Sequence, residues 1–279
     1  MQPGHPSLTA LSAARLRAAH QVLDDATILA DPLAARILGG DIEVSLSHAR
    51  AHVSGPRLRW FIAARSRLTE EALDVAVNEG ATQLVMLGAG FDTLAYRTRL
   101  ADRLRIFEVD LPATQARKRE MLAAAGIPVP QTLRFVPIDF ERQTLAATLG
   151  AAGFMAGERS LFSWLGVVPY LTEEAVFSTL GYIAQLQGGA EVLFDYVNPA
   201  GSIAPAGRAS HQALAEAVAA VGERIQSYFD TEPLGVKMRS TGFRHVRDIG
   251  PAEIAARFFP EAERAASGRG GHIMHASTI

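Results

Sequence analysis

The 279-residue sequence predicts an α/β protein built on a mostly parallel β-sheet with helices on both faces. Three observations support this prediction. From residue 83 onward, short apolar runs alternate with stretches of helical periodicity, which is typical of strand-helix-strand units. Residues 8–80 show no strand-like alternation and read as helices. Two further strand-like runs lie near the end of the chain.

The first 80 residues are predicted to form a helical layer. Three helices are recognised in it, at residues 8–23, 31–39 and 57–80. The second opens with Asp31-Pro32 and closes with Gly39-Gly40, a combination that favours a helix start and a helix stop. We expect residues 1–80 to form a lid over a second segment, residues 81–279, with both parts in one structural unit.

The second segment contains the predicted sheet. Five apolar runs read as its parallel strands: QLVMLG (83–88), LRIFEVD (104–110), LRFVPID (133–139), SLFSWLG (160–166) and AEVLFDYV (190–197). Helical stretches at 113–126 and 172–186 lie between them. Strands that alternate with helices predict a sheet that is covered on both faces.

The C-terminal third departs from this alternation. Residues 211–229 predict a helix, and the runs 243–249 and 271–279 predict two strands that form an antiparallel hairpin at the sheet's edge. The stretch 198–210, rich in Pro and Gly, predicts either a mobile loop near an active-site mouth or an idle loop. It belongs to an insert that spans residues 198–232.

Composition excludes several classes of function. With no cysteine, the chain has no disulfide framework, no thiolate metal site and no cysteine nucleophile. A net charge of -2 and 27 basic residues spread along the chain argue against a nucleic-acid partner. No apolar stretch reaches the roughly 20 residues of a membrane span, and MQPGHPSLTA lacks the features of a secretory signal. We therefore expect a cytoplasmic protein without a membrane partner.

Glycines and acids occupy the ends of three successive predicted strands. Gly88 and Gly90 follow the first strand, and glycine permits positive φ and close approach of a ligand to the main chain. Asp110 ends the second strand at the spacing at which an acid accepts hydrogen bonds from ribose hydroxyls. Asp139 ends the third strand, within reach of an adenine amino group. Since ligands of open parallel sheets bind beyond the carboxyl ends of the strands, the pattern predicts an adenosine-containing ligand.

The same turn distinguishes between two adenosine compounds. Dinucleotide sites carry a third small residue where this chain has Thr93, and Asp92 adds a negative charge that would repel a diphosphate. A ligand without phosphate but with a cationic end tolerates that acid. S-adenosylmethionine meets this description, whereas an NAD-dependent oxidoreductase on the same sheet remains the alternative.

Four motifs together resemble the leucine carboxyl methyltransferase family in its broad bacterial branch, which includes polyketide O-methyltransferases. They are LGAGFDTLAYR, FEVDLPATQARK, FVPIDF and GVVPYLTEEAV, and the resemblance runs from about residue 9 to residue 197. It implies the Rossmann-like class I methyltransferase fold, with a seven-stranded sheet, and S-adenosylmethionine as the cofactor.

The resemblance also implies site residues. Gly88 and Gly90 would hold the methionine part of the cofactor, Asp110 its ribose, and Asp139 its adenine. Phe140 stands where the family usually has leucine beside that aspartate, and it would frame the adenine as well.

Two arginines would bind the carboxylate of the cofactor. Arg65, in FIAARSR, matches the family's arginine in the helix before the first strand, and guanidinium suits a carboxylate. Arg17 is the nearest match to a further basic residue from the N-terminal helix. Leu165 departs from the family because many members carry glutamate there, while Tyr170 would face the substrate.

The predicted function is methylation of a carboxylate or hydroxyl oxygen of a small molecule, for which a secondary metabolite is the expected acceptor. A carboxylate is ionised at neutral pH and needs no general base, whereas a phenol does. None of the eight histidines lies in a sequence motif that marks it as that base, although His211 follows the predicted mobile loop. No histidine pair has metal-site spacing, so no metal is predicted. A non-catalytic module that binds the cofactor is a further alternative.

Overall fold

A seven-stranded sheet forms the centre of the molecule, as predicted. The computed structural model describes residues 6–139, 142–203, 205–264 and 270–279. The strands are β1 Gln83–Leu87, β2 Arg105–Asp110, β3 Leu133–Pro137, β4 Ser160–Trp164, β5 Ala190–Tyr196, β6 His245–Ile249 and β7 His272–Ser277. Their order is β3-β2-β1-β4-β5-β7-β6. The first five strands along the chain are parallel, and β7 pairs antiparallel with both β5 and β6.

Helices cover both faces of this sheet. Those within the described residues are α1 Leu8–Leu23, α2 Ile42–Ala51, α3 Gly55–Asn78, α4 Leu94–Arg97, α5 Pro112–Ala124, α6 Leu145–Ala151, α7 Glu173–Ala184, α8 Pro205–Ala220, α9 Thr231–Thr241, α10 Pro251–Phe258 and α11 Glu261–Arg264. Local signals explain several of their starts. Ser7 caps α1 by accepting a hydrogen bond from the Ala10 N–H at 3.0 Å, and Thr172 caps α7 in the same way.

Alternate side chains of the strands enter two cores. Leu84 and Met86 of β1 pack on the face that α3 covers, whereas Val85 and Leu87 pack on the opposite face. Because α3 contributes to the same core as the sheet, the N-terminal helices and the sheet form one packed body.

One predicted helix near the N-terminus is absent, and one observed helix there was not predicted. Residues 31–39 hold only a short 3-10 turn, Arg36–Leu38, and a helix that the sequence analysis does not identify, α2, follows it. Gly39 and Gly40 have φ of 93° and 81°, so the backbone leaves helical geometry there before a full α-helix can form.

The predicted helix 211–229 is displaced towards the N-terminus. The observed α8 starts at Pro205, inside the stretch predicted as a mobile loop, and ends at Ala220. Gly222 has φ of 79°, which ends the helix. The chain then continues without regular structure along the carboxyl edge of the sheet, where the Phe229 N–H donates to the Val197 carbonyl at 3.0 Å.

No helix among the described residues combines the length and the apolar character needed to cross a bilayer.

Candidate active site

A cavity of about 840 Å³ lies at the carboxyl ends of the parallel strands. Its floor is the glycine turn after β1 together with the segments that follow β2, β4 and β5. One face each of α1, α3 and α8 forms the rest of the wall. Ligands of open α/β sheets bind where the order of winding reverses, and β1 and β4 are the adjacent strands at that point here.

The turn after β1 depends on two glycines with positive φ. Gly88 has φ of 65°, and a Cβ atom there would lie 2.2 Å from Cγ2 of Val167. Gly90 has φ of 48°, and its Cβ would lie 3.2 Å from the Cβ of Ala10 in α1. Side chains at either position would therefore strain the backbone and crowd the loops that meet at the cavity floor.

Asp110 holds this turn against the end of β2. Its Oδ2 accepts a hydrogen bond from the Gly90 N–H at 2.6 Å, and its Oδ1 accepts one from the Leu111 N–H at 2.7 Å. Burial raises the pKa of Asp110 above its ordinary value, while these two hydrogen bonds oppose the rise. Each carboxylate oxygen has a second lone pair, so Asp110 retains acceptor capacity towards a ligand in the cavity.

Asp139 lines the same cavity beyond β3. Its main-chain N–H donates to Oε1 of Gln143 at 3.0 Å, and its carboxylate lies 3.5 Å from the guanidinium of Arg142. Asp139 is therefore placed next to Asp110 at the edge of the sheet, as the sequence predicts. Phe140, the predicted adenine neighbour, lies outside the described residues.

Arg65 reaches the cavity from α3 and forms an ion pair with the end of β5. Its Nη1 donates to Oδ2 of Asp195 at 2.8 Å, and Oδ1 of Asp195 accepts a hydrogen bond from the Gly166 N–H at 2.5 Å. The Nε atom of Arg65 is buried and has no hydrogen-bond partner among the described residues. The predicted carboxylate-binding arginine is therefore in the cavity wall, beside an acid that the sequence analysis does not identify.

Arg17 is buried in α1 and contacts the glycine turn. Its Nε donates to Oδ2 of Asp31 at 3.0 Å and its Nη2 to the Phe91 carbonyl at 2.7 Å, while Nη1 lies 3.7 Å from Asp92. Nη2 thus holds the turn directly, whereas Nε pairs with Asp31. Of the three guanidinium nitrogens of Arg17, Nη1 has the longest contact, 3.7 Å to Asp92. The predicted contact to a cofactor carboxylate stays a prediction.

Asp92 serves as a local cap as well as a charge at the cavity. Its Oδ1 accepts a hydrogen bond from the Leu94 N–H at 2.7 Å, at the start of α4. Burial alone would raise the pKa of Asp92, but the nearby Arg17 and Arg97 outweigh it, and the pKa is lowered. The carboxylate is therefore ionised at neutral pH.

Tyr170 lies in a short 3-10 turn after β4 and lines the cavity. Burial, with Glu223 nearby, raises its pKa to about 12, although Arg65 and a hydrogen bond with Thr9 act in the opposite direction. The phenol is therefore protonated at neutral pH. It can donate a hydrogen bond to an oxygen in the cavity, but it cannot serve there as a general base.

Apolar side chains form a second group of cavity-lining residues, called the apolar lobe below. Among its lining residues are apolar side chains of α3, α8 and α10 and the residue after α10, namely Leu58, Phe61, Ile62, Leu214, Val218, Ile254 and Phe259. Two histidines add polar groups. His52 accepts a hydrogen bond on Nδ1 from the Ser54 N–H at 3.2 Å, which leaves the proton of the neutral ring on Nε2. Burial lowers the pKa of both His52 and His211.

Glu223 is a site residue that the sequence analysis misses. Its buried carboxylate accepts hydrogen bonds from the Leu8 N–H at 2.9 Å, the Thr9 N–H at 3.3 Å and the Ser7 and Thr9 hydroxyls. It therefore connects the insert to the start of α1 across the cavity. Gly222 is the signal that could have revealed it, because a glycine there favours the end of the preceding helix.

No group of three or more histidine, aspartate or glutamate side chains in the described ranges is arranged to hold a metal ion.

Comparison with known proteins places this site in a family. Residues 10–184 match the leucine carboxyl methyltransferase family. YktD of Bacillus subtilis, which carries the name of an S-adenosyl-L-methionine-dependent methyltransferase, is 32% identical over 198 residues, covering 70% of this chain and 65% of that protein. A protein of Mycolicibacterium paratuberculosis with the same type of name is 32% identical over 183 residues, covering 60% of this chain and 56% of that protein. The chain thus matches less than two thirds of the length of these relatives.

Solved structures support the fold. A structure from Thermobifida fusca, described as a methyltransferase, has a TM-score of 0.60 at 15% identity and covers 99% of this chain and 96% of its own. A DUF574 family protein from Streptomyces avermitilis has a TM-score of 0.56 at 15% identity, covering 95% of this chain and 97% of its own. The predicted α/β fold with its antiparallel strand is confirmed. With the family match spanning more than half of its residues, the chain belongs to the leucine carboxyl methyltransferase family.

Proposed function

We propose that this chain is an S-adenosylmethionine-dependent O-methyltransferase that acts on a hydroxyl or carboxylate oxygen of a small molecule, such as a secondary metabolite. The observation that carries the proposal is a cavity whose lining combines two groups of residues. The strand-end glycines and acids form one group, and apolar side chains of α3 and α8 belong to the other. Such a cavity has room for a polar cofactor at one end and an apolar acceptor at the other.

The cofactor end suits an adenosine with an attached amino acid. Asp110 would accept hydrogen bonds from the ribose, and Asp139 would lie at the adenine. Arg65, which lines the cavity, would bind the carboxylate of the methionine part. The names of the relatives support the same ligand. When bound, this cofactor supplies an electrophilic methyl group on a positively charged sulfur.

The protein's contribution is positioning and the exclusion of water. Holding an acceptor oxygen in line with a methyl group can lower the barrier by about 7 to 11 kcal/mol. The apolar side chains from α3 and α8 would hold the body of the acceptor. The N–H at Nε2 of His52 and the phenol of Tyr170 are donors that would orient an oxygen at the boundary between the two ends of the cavity.

The choice between a hydroxyl and a carboxylate acceptor depends on a base. A hydroxyl must lose its proton as the bond to carbon forms, and His211 is the candidate because it lines the cavity from α8 and burial keeps its pKa below the usual range. A carboxylate acceptor would not use His211 in this way.

Methyl transfer to a matched pair of acceptors tests the proposal. The protein would be incubated with S-adenosylmethionine and either 2-naphthol or 2-naphthoic acid, and the products identified by mass spectrometry. We expect a methyl ether or a methyl ester. Binding of S-adenosylhomocysteine without transfer to these acceptors or to a wider set of phenols and acids would instead favour a non-catalytic binding module. The Tyr170→Phe variant should retain cofactor binding while it slows transfer.

A further inference from the structure

The ion pair between Arg65 and Asp195 is part of the cavity wall rather than of the core. Both residues line the cavity, and the Nη1 to Oδ2 distance is 2.8 Å. The side chains are only 12% and 8% exposed, respectively. The pair is therefore largely removed from bulk water and yet accessible to a ligand in the cavity.

This pair retains unused hydrogen-bonding capacity on both partners. Arg65 lines the cavity and has five N–H donors, and its hydrogen bond from Nη1 to Asp195 uses one of them. Asp195 accepts one hydrogen bond on each oxygen, from Arg65 and from the Gly166 N–H, whereas a carboxylate can accept about four. A buried charge is costly unless its hydrogen-bonding groups are satisfied. A ligand that supplies both an anion and a cation would satisfy both partners.

We propose that Asp195 binds the ammonium group of the methionine part of S-adenosylmethionine, while Arg65 binds its carboxylate. The two groups sit on the same carbon of the amino acid, so their partners must also be neighbours, as Arg65 and Asp195 are. This inference rests on the assignment of Arg65 made under Proposed function. It adds a cofactor-binding residue from β5, a strand outside the four motifs on which the cofactor site was predicted.

The other carboxylates near the glycine turn have different partners. Asp92 accepts the Leu94 N–H and faces Arg17, whereas Asp110, which also keeps free lone pairs, is assigned to the ribose. The Glu223 carboxylate accepts hydrogen bonds from the main-chain N–H groups of Leu8 and Thr9 at the start of α1. Asp195 is the carboxylate in contact with Arg65, and position 165, directly after the end of β4, is a leucine. The ammonium assignment therefore falls to Asp195.

Three adenosine ligands separate the contributions of the two charges. S-adenosylhomocysteine carries both groups, S-adenosyl-4-mercaptobutyrate keeps the carboxylate but lacks the ammonium, and 5′-methylthioadenosine lacks both. Their affinities would be measured by calorimetry on the full chain. The unmodified protein should bind S-adenosylhomocysteine at least tenfold more tightly than the mercaptobutyrate analogue. Asp195→Asn should weaken S-adenosylhomocysteine binding by about 10- to 100-fold, the loss expected for one charged hydrogen bond.

The decisive readout is the selectivity of that loss. In Asp195→Asn, the affinity for the mercaptobutyrate analogue and for 5′-methylthioadenosine should change less than threefold. A matched control is Glu191→Gln, because Glu191 is a buried acid at the other end of β5, paired with Arg159 at 2.9 Å outside the cavity. This control should leave all three affinities unchanged.

Other outcomes overturn the inference in distinguishable ways. If Asp195→Asn weakens both carboxylate-bearing ligands equally, Asp195 only orients Arg65. Equal affinity of the unmodified protein for S-adenosylhomocysteine and the mercaptobutyrate analogue overturns it without any variant. If Arg65→Gln leaves the preference for the carboxylate-bearing ligands over 5′-methylthioadenosine unchanged, the Arg65 assignment fails and this inference fails with it. None of these results depends on methyl transfer, so failure of the proposed reaction would be seen separately.

Discussion

Asp110 combines two roles that are normally described separately. It accepts the Gly90 N–H at 2.6 Å, and so fixes the turn that the cofactor must approach, and it lines the cavity where a ribose would lie. The backbone thus uses one lone pair on each oxygen, and a ligand would use the remaining ones. The geometry of the turn and the affinity for adenosine are therefore coupled through this one side chain.

Replacing Asp110 by Asn tests this coupling. The amide presents an NH2 group where one carboxylate oxygen now accepts a hydrogen bond, so either the Gly90 N–H or the Leu111 N–H loses its acceptor and the end of the turn must shift. We expect at least a tenfold weaker binding of S-adenosylhomocysteine by calorimetry, with little change in the cavity wall formed by α3 and α8. Unchanged affinity would refute the ribose assignment. Thermal unfolding of the variant shows whether the fold is retained.

The role of His211 predicts a specific pH dependence for a phenolic acceptor. The base must be neutral, so the rate should be lost as pH falls through the pKa of His211. Since burial lowers that pKa below 6.5, the rate should persist to more acidic pH than an exposed histidine would allow. The measurement is kcat/KM for 2-naphthol against pH. An His211→Ala variant with the same profile would exclude His211 as the base.

Local sequence pattern predicted residues of the site only where a strand end marks them, and Arg65, Arg17 and Tyr170 were named only through the family resemblance. Gly88, Gly90, Asp110 and Asp139 are recognisable because they follow apolar runs. The partnership of Arg65 with Asp195 spans 130 positions in the sequence, and no local pattern connects them. That pairing arises from the tertiary packing of α3 on the sheet.

At the level of elements, Glu223 connects the insert to the N-terminal helix. A carboxylate at the first turn of α1 satisfies two main-chain N–H groups that have no partner inside the helix. Its negative charge also interacts favourably with the positive end of the helix dipole. Leu8 and Glu223 are 215 positions apart in the sequence. The predicted helix 211–229 concealed this contact, because the apolar periodicity continues past Gly222 although the helix does not.

Loss of this connection should be measurable as stability. In Glu223→Ala the part-buried N–H donors of Leu8 and Thr9 lose a charged acceptor, which typically costs about 1 to 3 kcal/mol. We expect the free energy of unfolding in urea to fall by about that amount. Glu216→Gln is a suitable control because Glu216 is an exposed residue of α8, and it should change stability by less than about 0.5 kcal/mol. Equal stability of both variants would mean that the contact does not hold α1.

On the scale of the whole molecule, the sheet explains why the fold was predictable and the acceptor was not. β1, β4 and β5 are buried along their whole length, and such strands read as continuous apolar runs whatever the ligand. The acceptor lobe is built from α3, α8 and α10, whose apolar residues also satisfy ordinary helix packing. A pattern that serves both purposes cannot reveal which side chains face a cavity.

Ligand-induced stabilisation tests the entire arrangement, since the cofactor would contact loops after β1, β2 and β3 together with α1 and α3. At 100 times its Kd, S-adenosylhomocysteine should add about 2.7 kcal/mol of stability, which corresponds to a rise in Tm of roughly 5 to 10 °C. NADH should give no comparable rise. Thr93, at the third position of the turn, is fully buried and donates to Asp31 at 2.7 Å, so the turn lacks the small residue that brings a helix N-terminus to a diphosphate. A larger shift with NADH would mean that Asp92 does not repel a diphosphate there, and the sheet would then serve hydride transfer instead.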